Sequence, residues 1–167
     1  MIGREPFVAW GQLLAAVRTG RPSFELVFGA PRFDWLAQNP EAAARFQAAM
    51  VALSGDVVEP IATAYAFGDL GVVVDVGGGH GGLLSAILAR HPSVKGILFD
   101  LPEGIAAASA GLGGPLPRCD LVAGDFFEAV PEGADVYLMK KVLHDWSDDD
   151  AVRILVNCRP APSRGGS

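Results

Sequence analysis

Six consecutive residues, Gly77-Gly78-Gly79-His80-Gly81-Gly82, fit the pattern G-x-G-x-x-G. Such a loop lets the backbone approach a bound nucleotide or nucleoside closely. Acidic residues surround it. Asp75 stands two positions before the first glycine, and Asp100 follows Gly77 by 23 positions. A carboxylate placed like Asp100 accepts both hydroxyls of a ribose, or else closes a turn before Leu101-Pro102. Asp125 is a candidate acceptor for an adenine amino group. Phe126 beside it lies either against the adenine face or in the core.

The charge of Asp75 discriminates between ligands. A carboxylate about 4–5 Å from a pyrophosphate loses about 4 kcal/mol at an effective dielectric near 20, and gains as much beside an ammonium or sulfonium. Asp75, beside the loop glycines Gly77 and Gly79, therefore favours S-adenosylmethionine. A nicotinamide or flavin dinucleotide is the competing ligand for the same loop.

These residues need a scaffold that gathers them. Val72-Val73-Val74-Asp75-Val76 reads as a strand buried on both faces, followed by a helix over 83–90. Gly96-Ile97-Leu98-Phe99-Asp100 is a second strand, 103–110 a helix, and Gly111, Gly113, Gly114 and Pro115 a loop. A third strand starts at Leu121-Val122 and ends at Asp125, and Val136-Tyr137-Leu138-Met139 is a fourth. Ser147 caps a last helix, with Asp150 three positions on and the acids of 148–150 at its positive end. Alternating strands and helices predict an α/β fold with a parallel sheet. Ligands of such sheets bind beyond the carboxyl ends of the strands. Asp75, the glycines, Asp100, Asp125 and Lys140 all fall there, with His144 shortly after the fourth strand.

Residues 1–70 read as a separate, mostly helical segment. Phe7, Trp10, Leu13, Leu14 and Val17 recur at helical spacing and predict one apolar face. Phe24 and Phe28 fall in a loop punctuated by Pro22, Gly29 and Pro31. A helix starts near Pro40 and carries Phe46, Met50 and Leu53, and Pro60 opens a further one.

Composition narrows the partners. The chain has 167 residues, 50% hydrophobic and 19% charged, with a net charge of −6. That is a globular chain, and its charge is the wrong sign for nucleic acid. No apolar run is long enough for a membrane span. Cys119 and Cys158 are far apart, which suggests free thiols in a reducing cytoplasm and no metal-ligand spacing.

The segments VVVDVGGGHGGLLSAILARHPSVKGILFDLP and LVAGDFFEAVPEGADVYLMKKVLHDWSDDDAVRILVNCR closely resemble the S-adenosylmethionine-dependent O-methyltransferases of the plant caffeate and bacterial polyketide (anthracycline) kind. The string HDWSDDD after a Met-Lys strand is the most specific part, and the similarity runs over about residues 8–159. The resemblance implies a Rossmann-like class I methyltransferase sheet and an acceptor of the phenolic or polyketide type. It also implies a homodimer for a full-length relative. Gly77, Asp100, Asp125, Phe126 and Lys140 match cofactor-contact positions, His144 matches the catalytic base, and Met50 matches a position lining the acceptor pocket. Lys141 stands where plant members carry an aromatic residue.

Methyl transfer from sulfonium to oxygen is an in-line displacement, so alignment and the acceptor proton are the protein's tasks. A phenol ionises near pH 10 and an imidazolium near 6.5. Full proton removal before attack costs about 5 kcal/mol, so an imidazole base helps most when proton transfer accompanies attack.

The family pattern has more helices before this chain and about three more strands after it. The expectation is a chain truncated at both ends: residues 1–70 a remnant of the dimerisation and lid region, 71–159 an incomplete cofactor domain of about four parallel strands, 160–167 an aberrant tail. A strand order 3-2-1-4 leaves the fourth strand as an open edge. The isolated chain is then expected to be weakly folded and slow or inactive. Alternative readings are a relative that uses the cofactor for hydroxylation or decarboxylation, and a non-catalytic remnant.

Overall fold

The computed structural model describes residues 3–111 and 117–159. The loop expected at 113–115 and the tail expected at 160–167 lie outside the described residues. The chain divides into two compact units between Ser54 and Gly55.

The first unit is helical: α1 (Arg4–Trp10), α2 (Leu13–Thr19), α3 (Ser23–Phe28), α4 (Arg32–Ala37) and the start of α5 (Pro40–Ala64). The single amphipathic helix expected over 7–17 is two helices, broken at Gly11 and Gln12. Its apolar stripe is largely in solvent, with Phe7 82% and Val17 75% exposed. The loop expected around Phe24 and Phe28 is α3. These two rings stack at 4.5 Å and meet Trp35 of α4 at 5.6 and 5.1 Å. That aromatic cluster stabilises helices too short to persist alone. Pro60 does not open a helix. It lies inside the 25-residue α5, where Val58, Ile61 and Ala62 pack on the sheet unit's core.

The second unit takes in the rest of α5 and a sheet: β1 (Val72–Val76), β2 (Lys95–Asp100), β3 (Cys119–Ala123) and β4 (Val136–Leu138). The strands are parallel in the order β3-β2-β1-β4, the order that the family resemblance implies. Helices α6 (Gly82–Arg90), α7 (Pro102–Gly111) and α8 (Asp148–Asn157) complete it. The third strand ends two residues before Asp125. Ser147 caps α8, its hydroxyl accepting from the Asp150 N–H at 3.2 Å.

Alternation along β1 sorts the core. Val73 joins Leu83, Leu84, Ile87, Leu88 and Leu98 on one face, while Val74 and Val76 join Phe99 and Ile154 on the other. Both faces are covered, as a parallel sheet requires. No helix among the described residues is long and apolar enough to cross a membrane.

Candidate functional site

The glycine loop leaves β1 and enters α6. Gly77 has φ +64°, and a Cβ there would lie 2.9 Å from Val142 Cγ2, so only glycine suits the position. The Gly77 N–H donates to the Phe99 carbonyl at 2.8 Å, which ties the loop to β2.

Asp75 follows the strand's alternation onto the α6 face. It is 2% exposed and lies beneath the loop, its Cγ 2.7 Å from where a Gly78 Cβ would stand. Burial raises its pKa from 3.8 to about 7; nearby Asp100 adds to the rise, while Lys140 and the Leu84 backbone hydrogen bond oppose it. Asp75 is therefore covered by the loop rather than open to solvent. The Lys140 ammonium is pulled below its ordinary pKa, chiefly by desolvation, with Asp75 opposing. His80 folds back over the start of α6, and burial followed by Lys140 lowers its pKa.

Asp100 ends β2. Its Oδ2 accepts from the Gly79 N–H and its Oδ1 from the Leu101 N–H, both at 2.7 Å. Burial is the main cause raising its pKa, and these two N–H groups oppose it. Room for this carboxylate comes from Gly104 of α7, where a Cβ would lie 2.5 Å from Oδ1.

Asp125 caps its own turn, Oδ1 accepting from the Phe127 N–H at 2.8 Å. It also stands in the wall of an open cleft of about 320 Å³ beside Phe99 and Val122. Phe126 packs edge-on against Trp146 at 5.8 Å, and its carbonyl accepts from Asn157 Nδ2 of α8 at 2.8 Å. The segment with Asp125 and Phe126 is thus pinned by α8.

His144 sits in a short 3-10 turn after β4 and is exposed, its Nε2 3.5 Å from Asp145 Oδ1. Met50 is elsewhere. It lines a cavity of about 250 Å³ in the first unit, with Phe24, Trp35 and Phe46. No cluster of potential metal ligands occurs among the described residues.

Sequence reasoning placed Asp75, Gly77, Gly79, Asp100 and Asp125 around the ends of β1, β2 and β3. It missed Gly104, Val142 and Asn157, whose contacts with the site are tertiary. The nearest signal was a glycine early in a helix, where it lowers propensity without local benefit.

An open parallel sheet with a glycine loop after β1 and acidic side chains beyond β1 and β2 defines a nucleoside-binding α/β domain. Residues 10–167 match the family model for the O-methyltransferase domain. The chain is 43% identical over 171 residues to the phenazine O-methyltransferase PhzM of Lysobacter antibioticus, covering 99% of this chain and 49% of that protein. It superposes on the crystal structure of LaPhzM with a TM-score of 0.87 at 42% identity, over 93% of this chain and 48% of that one. It also matches NcsB1, an O-methyltransferase from neocarzinostatin biosynthesis in complex with S-adenosylmethionine and 2-hydroxy-5-methyl naphthoic acid. There the TM-score is 0.84 at 37% identity, over 93% of this chain and 48% of that one. The chain belongs to the S-adenosylmethionine-dependent O-methyltransferase family. It spans about half the length of the curated relatives it matches.

Proposed function

We propose that the chain binds S-adenosylmethionine in its sheet unit and serves methyl transfer to a hydroxyl of an aromatic small molecule of the phenolic or polyketide kind. The observation that carries this is the acidic lining. Asp75 beneath the glycine loop and Asp100 joined to it favour a cationic nucleoside and disfavour a diphosphate. NcsB1 with its naphthoic acid supports an aromatic acceptor.

Bound there, S-adenosylmethionine supplies an electrophilic methyl group on a sulfonium. The chain's residues then divide the remaining work. Asp100 takes the ribose hydroxyls, and Gly77 and Gly79 bring backbone close to the methionine portion. Asp125 accepts from the adenine amino group while Phe126 lies along its face. Lys140 and Asp75 set the charge beneath the cofactor. His144 Nε2 takes the acceptor proton as attack proceeds, and Asp145 stabilises the imidazolium that forms. Met50 lines the acceptor cavity. The working assembly is a homodimer in the cytoplasm, with residues 1–70 as its helical dimerisation and lid region.

Calorimetry tests the reading. S-adenosylhomocysteine is expected to bind and NADH to give no heat; tight NADH binding with indifference to S-adenosylhomocysteine overturns it.

A further inference from the structure

Among the described residues, two that are not glycine hold a positive φ: Arg118 at 63° and Lys141 at 60°. A side chain in that left-handed region is strained, and the surrounding structure must hold it there. At Arg118 the guanidinium donates to four carbonyls, which offsets the strain. The Lys141 side chain is exposed, and the residue that its backbone turns inward is Val142.

Val142 is buried against the glycine loop. Its Cγ2 lies 2.9 Å from where a Gly77 Cβ would stand, and Phe126 Cε1 lies 3.8 Å from the same point. The segments that follow β1, β3 and β4 thus meet at Gly77. Val142 fills the space that a side chain at position 77 would take. Its carbonyl accepts from the Asp145 N–H at 3.1 Å and so opens the 3-10 turn that carries His144. One valine therefore has its side chain on the loop and its carbonyl in the His144 turn. A β-branched side chain suits that place, because its χ1 is stiff. Close packing passes a displacement of the loop on to the turn.

We propose that Val142, seated by the left-handed backbone of Lys141, is a positioning residue: it sets where His144 stands relative to the glycine loop and carries the occupancy of the loop to the His144 ring. The inference rests on the methyltransferase reading, which puts the cofactor on the loop and the acceptor proton on His144. Lys141 enters through its backbone, so its ammonium is dispensable for this role.

NMR of the full chain tests this. The ring resonance of His144 is identified by its loss in His144→Gln, and that of His91, at the far end of α6, serves as an internal control. Saturating S-adenosylhomocysteine is expected to shift the His144 resonance and leave that of His91 in place. Val142→Ala is expected to cut the His144 shift by more than half at saturation. Lys141→Gly, which keeps the left-handed turn, should retain the shift. Lys141→Val, whose branched side chain disfavours that turn, should lose it. A shift that survives Val142→Ala or Lys141→Val overturns the proposal, and so does one that is lost in Lys141→Gly. Should Val142→Ala fail to fold, the two Lys141 variants decide. The two readings fail separately. Bound S-adenosylhomocysteine with an unmoved His144 removes this inference alone. Failure to bind S-adenosylhomocysteine removes the methyltransferase reading. The seat is then read in the free chain, where Val142→Ala should move the Gly77 amide and His144 ring resonances together; a change confined to one of them overturns it.

Discussion

The Gly79 N–H donates to Asp100 Oδ2 at 2.7 Å, so the carboxylate that ends β2 also holds the crest of the loop that leaves β1. One side chain thus joins the ends of two neighbouring strands. This arrangement depends on α7 approaching without a side chain at Gly104.

Gly104→Ala tests that dependence. Alanine improves helix propensity by about 1 kcal/mol. Its Cβ would stand 2.5 Å from Asp100 Oδ1 and 2.6 Å from Cγ, so the carboxylate must turn and release Gly79. The expected result is about a tenfold loss of S-adenosylhomocysteine affinity by calorimetry, with little change in thermal stability. Unchanged affinity would show that Asp100 adjusts without leaving the loop.

Asp75 is expected to make both stability and S-adenosylmethionine affinity depend on pH. With its pKa raised from 3.8 to about 7, the folded chain holds a proton that the unfolded chain has lost. Stability from this group is therefore full below about pH 4 and declines as pH rises through about 7. A cationic ligand favours the ionised form, so affinity for S-adenosylmethionine rises with pH and levels off above about 7. Titrations in buffers of different ionisation enthalpy should detect proton release below that pH. Asp75→Asn should flatten both profiles, and a flat wild-type profile contradicts the assignment.

His144→Gln should lower kcat by about 10²–10⁴-fold and leave S-adenosylhomocysteine affinity unchanged. The imidazole is exposed, with Asp145 as its neighbour at 3.5 Å. Methyl transfer measured with labelled cofactor, on a chain shown to be active, reads this directly. A loss below threefold assigns the rate to positioning of the acceptor rather than to a base.

Arg118 is a structural counterpart at the opposite end of the sheet. Its guanidinium donates to the carbonyls of Leu88, His91, Pro92 and Val94 at 2.6–3.1 Å, closing the end of α6 and the turn into β2. Arg118→Ala should cost about 2 kcal/mol and lower the Tm by about 4–8 °C. Arg118→Lys should recover little, because one ammonium cannot span four carbonyls.

The sheet was legible because β1 is a β-branched run between glycines and the other strands are short apolar runs, and Asp75 and Asp100 stand at the ends of two of them. Strand order followed from the same pattern joined to the family resemblance. The helical unit was harder to read. Pro22, Gly29 and Pro31 look like loop punctuation, yet Pro22 and Pro31 precede α3 and α4, and Gly29 ends α3 at φ +75°. Pro60 looks like a helix start, yet burial of its neighbours Val58, Ile61 and Ala62 carries α5 through it. The stripe from Phe7 to Val17 has helical spacing, but spacing does not say what covers it. Pairs such as Asn157 with Phe126 and Gly104 with Asp100 arise only when elements meet in space. No periodicity along the chain announces them.

The hydrogen bond from Asn157 to the Phe126 carbonyl sets an order of events during synthesis. The glycine crest and Asp100 are complete once β2 has been made. The segment with Asp125 and Phe126 gains its anchor only after the far end of α8 has cleared the ribosomal tunnel. Both partners of the Gly79–Asp100 bond are thus made well before Asn157, the anchor of Phe126.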